Sequence, residues 1–468
     1  MMMRSWGNNM NNKSDPAHRL AAHVAATKFS HLPLAAVQSA KRSTLDTLGA
    51  MLAGTAAPGI GTIVAMARGW GGNPEASVFG YDLKLPGPMA AWCNGSMARA
   101  LEVDDCVDFL PVHPSASCVP ALLALAQTLG GLSGRDFLTA LVVGQDVIIR
   151  MGQTVRLNAM QSGRNNMFKI FGPAAAIANA MGQDADKTLH TLGISFSHAV
   201  GDGQCAIDGA LSLRLQQGIV AQGALLSGLL SEQEFTGARD FLTGPYGYLT
   251  AFEPDPRLEY LDDLGAKFMG EEISIKPYAT CRATHAAIDL ALDWRASVGD
   301  EHLDFAKIKI EVSPEVDNLV GSPRDKHLRP ASPAAAQFSL LYSVAAALVR
   351  GRVSIEEIQP SSFTDQSILD VAERISITGD EGMRTDKVVG CTRIQIERRD
   401  GKTVTLVSDD PSGSPTKPLD YDKCADKFRA LAANAIKPLE ACQIEEIVDL
   451  VSRLDTLDDV SVIAGALG

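Results

Sequence analysis

The chain has 468 residues, 46% hydrophobic and 21% charged, with a mean hydropathy of +0.04. That profile excludes a largely disordered protein and supplies apolar side chain for a large buried core. The 42 Lys and Arg against 55 Asp and Glu leave a net charge of −13. Such a field repels nucleic acid and anionic membranes, so neither is expected as a partner. Gln145 and Asp146 interrupt the longest apolar stretch, after Phe137, short of the roughly 18–20 residues that span a membrane. Eight cysteines are scattered without a CxxC pair, which argues against a zinc finger and fits free thiols in a reducing cytoplasm.

In chain order, residues 1–15 have weak charge and no apolar signal core, and read as a disordered extension. Residues 16–266 are rich in Ala, Leu, Met and Gly at helical spacing, with helices predicted over 35–53, 119–129, 134–151 and 218–230. Residues 267–410 change character. The run AKIKIEV over 306–312 alternates like a strand, as do 374–378 and 392–397, and Arg399-Asp400-Gly401 reads as a hairpin turn. Helices over 285–298 and 335–349 lie between them. Residues 411–468 return to helix, amphipathic over 424–435 and 444–454. The fold class is mainly α: one large all-helical domain built from both chain ends, with an inserted α+β unit.

Four polar segments attract attention. Glu102, Asp104, Asp105 and Asp108 precede His113-Pro114-Ser115, a grouping able to do general acid/base work if burial moves its pKa values; a helix end with solvated acids fits the composition equally well. Asp104, Asp105 and Asp108 also match a DDxxD metal pattern, but no second metal motif follows, and Pro111 and Pro114 break the helix it needs. Lys276, Arg282 and His285 bring protonatable groups to the start of a helix, where backbone N–H groups favour carboxylates; nearby Cys281 reads as a structural thiol. Arg164 and Lys169 stand ahead of an Ala-rich helix as anion holders or as solvated loop charges. Arg214 enters a helical run either to clamp a carboxylate or to lie along the surface.

His113-Pro114-Ser115-Ala116 with Val119-Pro120-Ala121 behind it, the preceding acids, and Lys276-Pro277-Tyr278 through Cys281 and Thr284-His285-Ala286-Ala287-Ile288-Asp289 resemble the MmgE/PrpD family. That family includes 2-methylcitrate dehydratase, cis-aconitate decarboxylase and iminodisuccinate epimerase. The likeness runs from Leu45 to Arg429. It implies an α+β lid over a helical domain, a homodimer, and a cleft without metal or other cofactor that acts on a small carboxylate. His113, Asp104 and Lys276 take the catalytic positions, and Asp105, Asn166, Arg214, Tyr278 and His285 the substrate-binding ones. Glu102 stands where many members have Asp, and Cys106 where many have Thr. Asn166 replaces a His and Leu213 a Lys, so the usual cationic set is incomplete and a smaller or less charged substrate is expected. The implied activity is a metal-independent lyase working by proton abstraction and elimination, 2-methylcitrate dehydratase-like. An epimerase, isomerase, decarboxylase or catalytically silent ligand-binding member is the alternative.

Overall fold

The computed structural model describes residues 15–156, 162–164, 166–299, 304–387 and 389–467. The extension expected over residues 1–15 lies outside these, apart from Asp15. That residue caps helix α1 (Pro16–Ala26): its carboxylate accepts from the Ala17 N–H, and Pro16 occupies the first turn, where a missing donor costs nothing.

The first half is helical, with α2 (Leu34–Gly54), α3 (Ile60–Trp70), α4 (Gly87–Ala98), α5 (Ser115–Leu129), α6 (Gly134–Thr154), α7 (Phe171–Ala180), α8 (Ala185–Ser195) and α9 (Ser212–Glu232) as its main elements. Several reach beyond the predicted ends, because apolar periodicity marks only the turns that face the core. A short hairpin of β1 (Ala76–Val78) and β2 (Leu83–Leu85) interrupts them. Small residues set how closely these helices pack. A Cβ on Gly172 would lie 2.6 Å from Ile148 Cβ and 2.8 Å from the Gly144 carbonyl oxygen, so α6 and α7 cross almost backbone to backbone. Gly218 on α9 is likewise pressed against Trp92 and Ser96 of α4.

Two short strands position the later chemistry. β3 (Cys106–Val107) pairs antiparallel with β4 (Ile273–Ser274), Cys106 opposite Ser274, which brings the start of the mixed section against the acidic segment. That section holds a four-stranded sheet in the order β6-β5-β7-β8, formed by β5 (Phe305–Val312), β6 (Ile375–Gly379), β7 (Thr392–Arg398) and β8 (Thr403–Ser408). β6 is parallel to β5, and the other pairs are antiparallel. The β7–β8 turn uses Gly401 at φ +82°. Helix α10 (His285–Val298) packs its Trp294 edge-on against Phe305, ring centroids 5.9 Å apart. The helix predicted over 335–349 is in fact two, Pro333–Gln337 and α11 (Leu340–Arg350). Ser339 separates them by capping the second, its hydroxyl accepting from the Tyr342 N–H.

Helices α12 (Tyr421–Ala432) and α13 (Ala441–Ser452) follow, and then a short helix, Ser461–Ala466. Phe428 and Leu431 of α12 fill the space beside Gly49 of α2, where a Cβ would sit 3.1 Å from Leu431. Among the described residues no helix is long and apolar enough to cross a membrane. Gly172→Ala is expected to lower stability by about 1–3 kcal/mol through overpacking. Chemical denaturation reading no loss would contradict the tight α6–α7 crossing.

Candidate active site

After α4 ends, Arg99 turns inward and organises the acids that follow. Its Nη1 lies 2.5 Å from Glu102 Oε1 and 3.3 Å from Asp104 Oδ1. Glu102 adopts φ +56°, a left-handed conformation that costs an ordinary side chain of order 1–3 kcal/mol. The turn lets both its carboxylate and its carbonyl face Lys276: the ammonium donates to Glu102 Oε2 at 3.0 Å and to Glu102 O at 3.1 Å. Lys276 follows β4 closely, so the β3–β4 ladder is what delivers it. On the other side, His113 Nδ1 lies 2.7 Å from the Asp105 carbonyl oxygen and 3.0 Å from Asp104 Oδ2. A carbonyl only accepts, so Nδ1 carries the hydrogen and, in the neutral ring, Nε2 presents its lone pair. Arg99, Glu102, Asp104 and Lys276 are buried, whereas the His113 side chain keeps 17% of its surface. His113 is the most exposed side chain of this cluster.

The charges interlock. Burial alone would raise the Glu102 carboxyl, but Arg99 and Lys276 pull it down to about 2. Asp104 is also held well below the usual carboxylate range, against its burial, by Arg99 and His113. Burial opposes the Lys276 charge, yet Glu102 and Asp104 outweigh it and raise the ammonium. His113 is lowered by burial, with Arg99 and Lys276 adding to that and Asp104 opposing. The site thus holds two carboxylates and two cations in balance around a neutral imidazole.

The three aspartates of the DDxxD match go separate ways. Asp104 belongs to Arg99 and His113. Asp105 caps α5, accepting from the Ser115 N–H at 3.2 Å, and pairs with the Ser115 hydroxyl, which also accepts from Gln145 Nε2 at 2.9 Å. Burial and the nearby Asp46 push the Asp105 carboxyl up to about 7. Asp108 takes both arms of Arg282, at 2.7 and 3.0 Å. Among the described residues no group of three or more His, Cys, Asp or Glu is arranged to hold a metal ion.

The remaining predicted residues scatter. Asn166, at φ +47°, donates from Nδ2 to the Pro111 carbonyl and braces the strand of chain leading to His113. Arg214 donates to the Pro58 carbonyl at 2.7 Å, at the fringe of the cluster, where Arg99 and Glu102 feel its charge. Tyr278 donates to Asp289 at 2.5 Å, and His285 is fully buried between Arg282 and the Thr280 carbonyl. The polar atoms of Tyr278 and His285 are thus committed away from His113. The Cys281 thiol is pushed up to about 11 by burial and Glu102, which keeps it protonated. Arg164 pairs with Glu253 and covers the Phe252 ring. Sequence reasoning passed over Arg99, although its i,i+3 spacing to Glu102 was a usable signal. It also passed over the Asp46–Lys427 pair, in which Lys427 also donates to the Val103 carbonyl at 2.6 Å. That pair is separated by most of the chain and leaves no local trace. A surface cleft of about 200 Å³, lined by Ser39, Arg42, Glu271 and Ile273 among others, contains none of the cluster residues.

Residues 18–261 match the MmgE/PrpD N-terminal domain and residues 278–453 the MmgE/PrpD C-terminal domain, so the chain belongs to the MmgE/PrpD family, which includes lyases such as cis-aconitate decarboxylase. Among its relatives is a cis-aconitate decarboxylase-like protein, oryM, of Aspergillus oryzae, 27% identical over 94% of each chain. The cis-aconitate decarboxylases of Homo sapiens and Mus musculus are 26% and 25% identical, each over 96% of this chain and 93% and 92% of their own.

The raised Asp105 carboxyl has a consequence for stability. The folded protein keeps a proton that the unfolded chain releases near pH 4, so this group's contribution is present at low pH and is lost as pH rises towards about 7. Asp105→Asn, which stays neutral, should gain stability relative to the parent between about pH 5 and pH 8. Denaturant unfolding at both values checks this, and a difference independent of pH contradicts it.

Proposed function

We propose that this protein is a metal-independent lyase of small polycarboxylic acids in which His113 takes a proton from the carbon next to a carboxylate. The observation that carries the reading is the tethering of His113 Nδ1, which leaves the Nε2 lone pair to act as the base. Burial, Arg99 and Lys276 keep the imidazole neutral and ready to accept, and Asp104 steadies the imidazolium once it forms. Lys276 donates to Glu102 through two of its three hydrogens, and the third supports carboxylate binding and the enolate-like charge that develops as the C–H bond breaks. In a dehydration the C–H electrons form the double bond and the C–O bond breaks. The departing oxygen then takes the proton back from His113 and leaves as water. Asp104, Asp105 and Asp108 are each spent on protein donors, which supports chemistry without a metal.

Decarboxylation is the second reading, favoured by the names of the relatives over nearly full length. It breaks a C–C bond, releases CO2 and returns a proton to the carbanion, so His113 would have to start as the donor. The lowered imidazole pKa favours the base and therefore the hydro-lyase.

The test offers 2-methylcitrate, cis-aconitate and iminodisuccinate to the purified protein and reads products by NMR. His113→Ala is expected to slow turnover by about 10²–10⁴-fold, Lys276→Ala to raise KM and lower kcat together, and EDTA to change nothing. Full turnover by both variants would overturn the assignment, whereas CO2 release from cis-aconitate without any dehydration would select the second reading.

A further inference from the structure

Lys169 stands apart from the charge balance just described. It lies in the turn before α7, only 3% exposed, and its Nζ donates to the neutral Gln216 Oε1 at 3.1 Å. Among the described residues it forms no ion pair with a carboxylate. The carboxylate it feels, Asp202, is itself engaged by Gln216 Nε2 at 3.2 Å. Burial and the Arg99 guanidinium destabilise the ammonium, to about 7. Two buried cations within electrostatic reach, one of them lacking a counter-ion, make a place that an anion would relieve. The same turn opens with Asn166, three residues before Lys169, whose amide is bonded to Pro111 two residues ahead of His113.

We propose that Lys169 forms a second carboxylate subsite in the wall of the His113 site, which makes this protein selective for substrates with at least two carboxylates. This rests on the polycarboxylate reading above and deepens it. Lys276 serves the carboxylate next to the reacting carbon, and Lys169 receives a distal one. The sequence-based expectation of a less charged substrate counted the cations at the positions of Asn166 and Leu213 and left out this one.

The experiment measures calorimetric binding of propane-1,2,3-tricarboxylate, succinate and butyrate, none of which carries a leaving hydroxyl. Wild type should bind the tricarboxylate at least tenfold more tightly than butyrate. Lys169→Met should lose at least tenfold for the tricarboxylate and succinate and leave butyrate unchanged, and Lys169→Arg should retain most of the affinity. Because Met removes an unpaired buried charge, the melting temperature of Lys169→Met should equal or exceed that of wild type. A lower melting temperature would mark a structural lysine and sink the proposal. So would unchanged tricarboxylate affinity in Lys169→Met, or a wild type that binds neither succinate nor the tricarboxylate. Turnover in the NMR panel is read separately: turnover that depends on His113, alongside tricarboxylate binding indifferent to Lys169, refutes the subsite alone.

Discussion

A buried guanidinium is the constraint on which this site depends. Arg99 is buried and holds Glu102 and Asp104 together. Through them it fixes both Lys276 and His113. Removing one member of such a network leaves uncompensated charge in a low-dielectric interior, which costs far more than a surface pair would. The arrangement is thus all or nothing: the carboxylates stay ionised because the cations are present, and the cations stay charged because the carboxylates are.

The backbone is bent to meet this demand. Glu102 and Asn166 both adopt positive φ without being glycine, and they flank the imidazole from opposite directions in the chain. Strain of this kind persists only where surrounding contacts over-determine it. Here the contacts are the Lys276 bonds to Glu102 and the Asn166 bond to Pro111. The two-residue β3–β4 ladder is small, yet it ties the chain just before Lys276 to the acidic segment and sets where the ammonium meets Glu102.

Burial also sorts identical side chains into different roles. Asp104 is ionised beside two bases, Asp105 is raised towards neutrality at the N-terminus of α5, and Asp108 neutralises Arg282. Three carboxylates within five residues thus become a histidine orienter, a helix cap and an ion-pair partner. Lys276 and Lys169 diverge in the same way: the first is surrounded by acids and raised, and the second faces an amide and is lowered. What separates the members of each set is the sign and number of neighbouring charges.

Much of the architecture was legible in the sequence, because it rests on local periodicity. The 3.6-residue spacing marked the helices of the first half and of the tail, alternation marked β5, β6 and β7, and Arg399-Asp400-Gly401 marked the β7–β8 turn. The break at Ser339 escaped notice, since a capping serine inside an Ala-rich run leaves the apolar pattern intact. The residue types of the site, His113, the acids and Lys276, were visible as well. Their pairing was not, because electrostatic partnership across 174 residues, as between Glu102 and Lys276, has no signature in spacing. Composition and periodicity determined a mainly helical, acidic protein, and the resemblance pointed to His113, Asp104 and Lys276. Tertiary structure alone decided which carboxylate meets which cation, and hence which groups are charged, because desolvation and Coulomb energy depend on distances that only the folded chain defines.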